Sequence, residues 1–433
     1  MCGILYVSSR RHRLPHGAIQ QIAAEFIAPR GPTHRLEFIS DREYICQSVL
    51  AVQSRPGKPA RQGDIGGERF ILYNGEIYSS TEYSSDTEAL YRESLKDHLA
   101  QFLGDVDGMY AIAEFKAVSR EFVDSGRLIN LYRDPAGEKH LYYFINSDYF
   151  AISSVPGALA ELAQALNSLR FNKDELYDYF ARRHYISPRT TPFADIYQVQ
   201  PGEALRFSSD KWVIRQLGKT SLFEAVFDPS HYKELSRLAS MDYINMVGTK
   251  LTHALTCMER GNRSGAPALT MSGGIDSTLV SFVCASELGM PPNTYTCLFK
   301  DKDPVANTAS TLSNKMPGGN HIDIDVSLHE YMLSLKRCIR VMAAPIHSHS
   351  LPSSRILASH VACSGKKVLY GGEGADELFL GYSTYIDIIK AGGQDPTRPA
   401  LMSAYNSAVN NIEDYDSDSS ETSQLMKGEL EAV

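Results

Sequence analysis

The chain has 433 residues, more than one ordinary hydrophobic core accommodates, so two large folding units are expected. With 43% hydrophobic and 22% charged residues it has the composition of an ordered globular protein, while its formal charge of -8 excludes a general electrostatic grip on nucleic acid or on an anionic membrane. Its seven cysteines lack C-x-x-C or His-paired spacing, and no apolar run is long enough for a membrane span or a secretory signal. Neither a disulfide framework nor a zinc site is therefore signalled, and a soluble, cytoplasmic protein is expected.

Residues 1–210 read as short strands punctuated by turn residues: ICQSVLAVQ, RFILYNGEIY, MYAIAEFK, RLINLYRD and HLYYFINS, with one helical stretch over 86–99. That pattern predicts an α+β domain. Residues 211–240 mix polar side chains with Phe223, Phe227 and Pro229 and read as a linker. Over 241–390 short apolar strands alternate with helices: PALTM, STLVSFVCASELG, NTYTCLF, a helix over 306–316, HIDIDV, a helix over 353–363, and KKVLY. Such alternation predicts an α/β domain, a doubly wound parallel sheet with helices on both faces. Over 391–433 glycines and prolines interrupt the pattern, and five acids with no base between Arg398 and Lys427 predict an acidic, mobile tail.

Several clusters along this framework suit chemistry. Removal of the initiator Met would expose Cys2, a nucleophile whose own α-amino group can act as general base. Asn74-Gly75-Glu76 ends a strand, where an amide and a glycine N–H can hold an oxyanion and the carboxylate, with Asp86, can take an ammonium. In LTMSGGIDSTLVS a strand runs into Ser272-Gly273-Gly274-Ile275-Asp276-Ser277 and then into a helix. Two glycines let a phosphate approach the backbone, two hydroxyls add donors, and the helix N-terminus presents unpaired N–H groups. Asp276 beside phosphates requires a cation, for which Mg²⁺ is the natural choice. After KKVLY, the run Gly371-Gly372-Glu373-Gly374-Ala375-Asp376-Glu377 places glycines at the carboxyl end of a strand, and its acids would repel one another without Mg²⁺ or an amine. Taken singly, a capped glycine turn or a buried N-terminal Cys would explain each cluster; their number and order favour a site.

The loop SGGIDS resembles the S-G-G-x-D-S pyrophosphatase loop of enzymes that cleave ATP between its α- and β-phosphates, and differs from G-x-x-x-x-G-K-[ST], so adenylation is expected rather than phosphorylation. With GGEGADELFLGY it resembles the synthetase domain of asparagine synthetases, whose second signature is S-G-E-G-A-D-E-L-F-G-G-Y. MCGILYV, PRGP, YNGEIY, SDTEAL, DGMYAIAEF, RDPAGEKHLYY and QPGEAL resemble, in that order, the glutaminase domain of the same family. The resemblance implies an αββα sandwich of the N-terminal nucleophile hydrolase type followed by an ATP-pyrophosphatase domain. Its ligands would be ATP, Mg²⁺, glutamine or ammonia and a small carboxylic acid; a homodimer stays open. It gives nucleophilic attack to Cys2, the oxyanion to Asn74 and Gly75, and glutamine binding to Arg30, Glu76 and Asp86. ATP falls to Met271, Ser272, Gly273, Gly274, Asp276, Ser277, Cys297 and Gly372, Mg²⁺ to Asp276 and Asp376, and acid–base work to Glu373.

In the related β-lactam synthetases, which close a ring with the substrate's own amine, a tyrosine replaces that glutamate, so Glu373 points to an external nitrogen source. The sequence departs from the family in three places. Val49 stands where an arginine pairs with the glutamine carboxylate, only seven residues separate Tyr78 from Asp86, and a G-L-E-x-R-x-P-F-L-D segment is absent after Tyr382. A C-terminally shortened member is expected, with Lys427, rather than Lys390, as stand-in for the family's C-terminal lysine. The expected function is ATP-dependent amide formation in specialised metabolism. An intramolecular β-lactam-type ligase, its N-terminal domain a scaffold, is the alternative.

Overall fold

The computed structural model describes residues 2–53, 63–78, 83–117, 126–181, 189–220, 239–299, 304–346, 348, 350–379 and 381. The tail over 391–433, with Lys427, lies outside them, as do Lys390, Tyr382 and linker residues 221–238. Two compact units are present: Met1–Glu175 with Ile186–Pro267 and Ile324–Val368, and Leu176–Tyr185 with Ala268–Asp323 and Leu369–Val433.

In the first unit, β1 (Gly3–Ser9), β2 (His34–Ile39), β3 (Glu43–Val49), β7 (Tyr142–Ile145), β8 (Tyr149–Ser153) and β9 (Ile196–Gln198) form one sheet in the order β2-β3-β1-β8-β7-β9. A second sheet joins β4 (Arg69–Ile77), β5 (Gly108–Ala117), β6 (Arg127–Arg133), β10 (Glu203–Ser208) and β11 (Val213–Lys219) in the order β11-β10-β6-β5-β4. Side chains alternate between the faces of each strand, and here both faces are covered, which is why GILYV and RFILY read as unbroken apolar runs. Ile4, Tyr6, Phe70 and Leu72 pack into a core between the sheets, where Phe70 and Phe115 stack with centroids 4.3 Å apart. Leu5 and Val7 face the other way, onto α1 (His16–Ile22) and α4 (Pro156–Ala165). Ile71 and Tyr73 likewise meet α2 (Asp86–Leu95) and α3 (Leu99–Asp105). The helix expected over 86–99 is thus two, because Asp97 turns into the left-handed region with φ +59°.

Two expectations are corrected. Val213–Lys219, read as the start of the linker, is the edge strand β11 paired with β10; only Val213 and Ile214 are half-buried and residues 215–219 are exposed, so no buried alternation marks the strand in the sequence. The stretch over 241–390 is not one body either. After α5 (Lys173–Ala181), helix α6 (Ser240–Gly261), α9 (Leu328–Met342) and α10 (Ser350–Cys363) group with the first unit. The physical reason for α9 lies at its last turns: Arg337 reaches Glu25 Oε1 and the Glu25 carbonyl at 2.9 Å each, Arg340 holds Glu25 and Glu161, and both guanidinium groups lie over Phe26. Gly157 of α4 meets the Arg340 carbonyl so closely that a side chain there would not fit.

The second unit carries β12 (Ala268–Thr270), β13 (Asn293–Leu298), β14 (Asn320–Asp325) and β15 (Leu369–Tyr370) in the order β14-β13-β12-β15, with β12 parallel to β13 and β15. Helices α7 (Ile275–Ser286), α8 (Pro304–Asn314) and α11 (Ala375–Phe379) belong to it. Parallel pairing brings the carboxyl ends of β12 and β15 to one edge.

Candidate active sites

In the first unit the alternation that builds the core also builds the site. Cys2 continues the face of Ile4 and Tyr6, and Asn74 and Glu76 continue the face of Phe70 and Leu72, so all three emerge between the sheets at the ends of β1 and β4. Gly3 is needed beside Cys2, since a Cβ there would lie 2.7 Å from the Ile27 carbonyl. The π-turn Ala23–Ile27 and the short 3₁₀ turn after it deliver Arg30, whose Nε donates to the Cys2 carbonyl at 3.1 Å. Burial pushes the Cys2 thiol up, against a hydrogen bond from the Leu50 backbone and the charge of Arg30, which pull it down.

β4 is an edge strand, and its free edge organises the pocket. Gly75 pairs with Tyr110, but the backbone N–H and C=O of Tyr110 bond to Asp134, on the β6 side. Gly75 therefore turns its own N–H out of the free edge of β4. Its neighbours of the same parity are taken: the Tyr73 carbonyl accepts from Gln47 Nε2 at 2.8 Å and the Ile77 carbonyl from Gln53 Nε2 at 3.2 Å, while Asp86 accepts from the Ile77 N–H. Asn74, 1% exposed, leaves Oδ1 without a hydrogen-bond partner among the described residues. A side chain at position 75 would run into Met109, so only glycine fits.

Asp86, 6% exposed, opens α2 behind its N-cap Ser85 and accepts from the Tyr73 hydroxyl at 2.9 Å. Burial raises its pKa despite these bonds. Glu76 is pushed up to about 7, first by burial and then by Asp86, with Lys139 and a hydrogen bond from Gln53 opposing. Two acids that disfavour each other's ionisation beside a thiol form a receptor for a cationic group. Tyr73, Gln53, Leu50 and the buried Lys139 were not singled out from the sequence. Only the spacing of Tyr73, three residues before Glu76 and on the opposite face, hinted at contact with α2. Val49, at the end of β3, takes a hydrogen bond from Thr33 Oγ1 on its carbonyl and brings no charge to the pocket.

In the second unit, β12 ends in the loop Met271–Gly274 and α7 follows. Gly273 takes φ +78°, and Gly274 is the N-cap of α7. Ser277 Oγ accepts from the Ser272 N–H at 3.1 Å and lies 3.0 Å from Ser272 Oγ, which in turn accepts from the Gly274 N–H at 3.3 Å. The second motif closes on this loop, because a Cβ at Gly372 would lie 2.7 Å from Asp276 Cβ and 2.8 Å from the Ser277 N–H nitrogen. Glu373 is exposed, Asp376 sits in the first turn of α11, and Cys297 lies near the end of β13. Met271 supports the loop from beneath: its side chain packs with Ala285, Ala309 and Met316, its N–H donates to the Tyr295 carbonyl, and its carbonyl accepts from Thr296. Among the described residues no group of three or more His, Cys, Asp or Glu side chains could hold a metal, and no helix is long and apolar enough to cross a membrane.

Residues 1–217 match the family of the glutamine amidotransferase domain, the class that an N-terminal cysteine beside an open strand edge fits. Residues 258–427 match the asparagine synthase family. The chain belongs to the asparagine synthetase family. It is 27% identical over 421 residues to asparagine synthetase [glutamine-hydrolyzing] 1 of Bacillus subtilis, an alignment that takes in 89% of this chain and 59% of the relative's length. It is 23% identical to an asparagine synthetase domain-containing protein of Saccharomyces cerevisiae, over 83% of this chain and 70% of that one. A solved glutamine phosphoribosylpyrophosphate amidotransferase from B. subtilis is 13% identical with a TM-score of 0.33, over 86% of this chain and 91% of that one, too slight a likeness to bear on the fold.

Proposed function

We propose that this chain is an ATP-dependent amide synthetase of specialised metabolism. Its ATP-dependent domain, within 241–390, joins a substrate carboxylate to AMP with loss of pyrophosphate. Its N-terminal domain, an αββα sandwich of the N-terminal nucleophile hydrolase type over 1–210, splits glutamine to glutamate and ammonia. Ammonia then displaces AMP, leaving an amide. The observation that carries this reading is the tight seating of Gly372 on Asp276 and Ser277, which makes the two glycine loops one rim at the carboxyl edge of a parallel sheet.

The residues fit the ligands chemically. Ser272, Gly273, Gly274 and Ser277 offer hydroxyls and backbone donors to a pyrophosphate at the N-terminus of α7. Asp276 and Asp376 would hold Mg²⁺, a cation that takes one or two carboxylates and fills its remaining positions with phosphate oxygens and water, and whose charge offsets that of the phosphates. Exposed Glu373 serves as acid–base group on the attacking nitrogen. In the N-terminal domain Cys2, freed of Met1, passes its thiol proton to its own α-amino group as the sulfur attacks the carboxamide carbon. The Gly75 N–H and the Asn74 amide meet the oxyanion, and Glu76 with Asp86 takes the substrate's α-ammonium.

The test is a paired assay: glutamate release from glutamine, and pyrophosphate release across a panel of carboxylic acids with ATP and Mg²⁺. If no acid elicits pyrophosphate release, the proposal fails. One observation favours a second reading, an intramolecular ligase with a scaffold N-terminal domain: the uncharged Val49 at the end of β3. A ring-closed product formed without glutamine or ammonia would establish it.

A further inference from the structure

Beyond Ile77 on the same edge of β4, the first unit holds a cavity of about 130 Å³ lined by Gln53, Ile77, Tyr78, Ser85, Arg260 and Arg263, among others. Ligand pockets for whole drug-sized molecules are usually about 300–1,000 Å³, so this one suits the end of a small molecule. Helix α6 and the turn after it meet the loop that follows β3. The Arg263 N–H donates to the Val52 carbonyl at 3.0 Å, and a Cβ at Gly261 would come within 2.9 Å of Gln53 Nε2. Gln53 is shared: its amide bonds to the Ile77 carbonyl and to the Glu76 carboxylate, and it also lines the cavity.

The guanidinium groups of Arg260 and Arg263 make no ion pair or hydrogen bond among the described residues, although the hydroxyls of Tyr83 and Ser84 at the same cavity are already donating to Glu93 and Glu88. Two uncommitted cations at a small polar cavity suit a carboxylate, which a guanidinium can grip through two parallel N–H donors. The spacing agrees. From carboxamide carbon to α-carboxylate carbon an extended glutamine spans roughly 5 Å, four bonds of about 1.5 Å each. Gly75 and Ile77, two residues apart on a strand, are separated by roughly 6.6 Å.

We propose that this cavity is the α-carboxylate subsite of the amide donor, with Arg260 and Arg263 as its specificity-determining cations. The amide donor then lies along the edge of β4 in the order of its own groups: carboxamide at Asn74 and Gly75, ammonium at Glu76 and Asp86, carboxylate beyond Ile77. The inference rests on the proposed glutamine hydrolysis at Cys2 and extends it to residues that precede β12.

The test compares glutamine with 4-aminobutanamide, which lacks only the α-carboxylate. The full-length enzyme should prefer glutamine in kcat/KM by about 10- to 150-fold, the worth of a charge-assisted contact. In the Arg260→Ala/Arg263→Ala double variant that preference should fall towards one through a raised KM for glutamine, and the corresponding double Lys variant should keep part of it. A double Ala variant that retains the full preference overturns the subsite while leaving hydrolysis at Cys2 intact, as does a wild-type enzyme that uses both amides equally well. A wild-type enzyme that releases ammonia from neither amide removes the hydrolysis reading and the subsite with it.

Discussion

The two sites are built from opposite materials. Around Cys2 the working groups are side chains drawn into low dielectric, so that burial shifts the titration of Cys2, Glu76 and Asp86. In the loop over 271–277 they are backbone groups and short hydroxyls near the surface, with Ser272 and Gly274 exposed and the conformation set by Gly273 at φ +78°. A carboxamide reaction depends on protonation states fixed in advance, which requires a dry pocket. A pyrophosphate brings its own charge and requires donors held in an arc. Disturbing the first site should therefore appear in pH behaviour, and disturbing the second in geometry.

The sharpest way to break that contrast is Cys2→Ala, which should lower glutamate release by more than about 10³-fold, the scale on which loss of a nucleophile acts. A smaller loss in a direct glutamate assay would take the chemistry away from Cys2. Next comes Gly372→Ala. Its new Cβ would press on Asp276 and Ser277, and displacing the loop by about an ångström should reduce substrate-dependent pyrophosphate release roughly 10²-fold. A fully active variant would separate the two motifs.

Glu76→Gln should reduce kcat/KM for glutamine by roughly 10- to 150-fold by losing the charge that meets the ammonium. The same change should raise thermal stability at pH 8. The carboxyl titrates at about 7 in the folded protein, above its ordinary range, so ionising it costs the folded state more than the unfolded one and stability is lost as pH rises to 7. A variant with an unchanged or lower melting temperature at pH 8 would contradict this burial-driven shift. The mildest test is the wild-type pH profile. Between pH 6 and 8 the kcat/KM for glutamine should rise by up to about tenfold and then level off as Glu76 ionises, a rise that Glu76→Gln should flatten.

The contrast also explains what the sequence made legible. Glycine loops announce themselves, because few residues other than glycine tolerate positive φ or a neighbouring backbone at van der Waals distance, so positions 273 and 372 stood out without any structure. The second tier of the buried site was not readable. Gln53 matters because it bridges the Ile77 carbonyl and Glu76, and Tyr73 because its hydroxyl reaches Asp86 across the face of the sheet. Those contacts depend on which strand lies at an edge and which helix covers it, information that no local pattern contains. The same holds for β11, whose exposed residues 215–219 imitate a linker, and for α9, whose attachment to Glu25 and Phe26 spans more than 300 positions.

That attachment has a consequence for how the molecule is made. The outer surface of α4 and the π-turn that leads to Arg30 are complete only once Arg337, Arg340 and Val341 arrive. Ribosomes add about 5–20 residues each second, so between the end of β11 and the appearance of α9 the nascent chain waits roughly 6–25 s with Phe26 and Gly157 uncovered. During that interval the surface behind Cys2 is incomplete, and a chaperone that shields it would act before the second unit is finished.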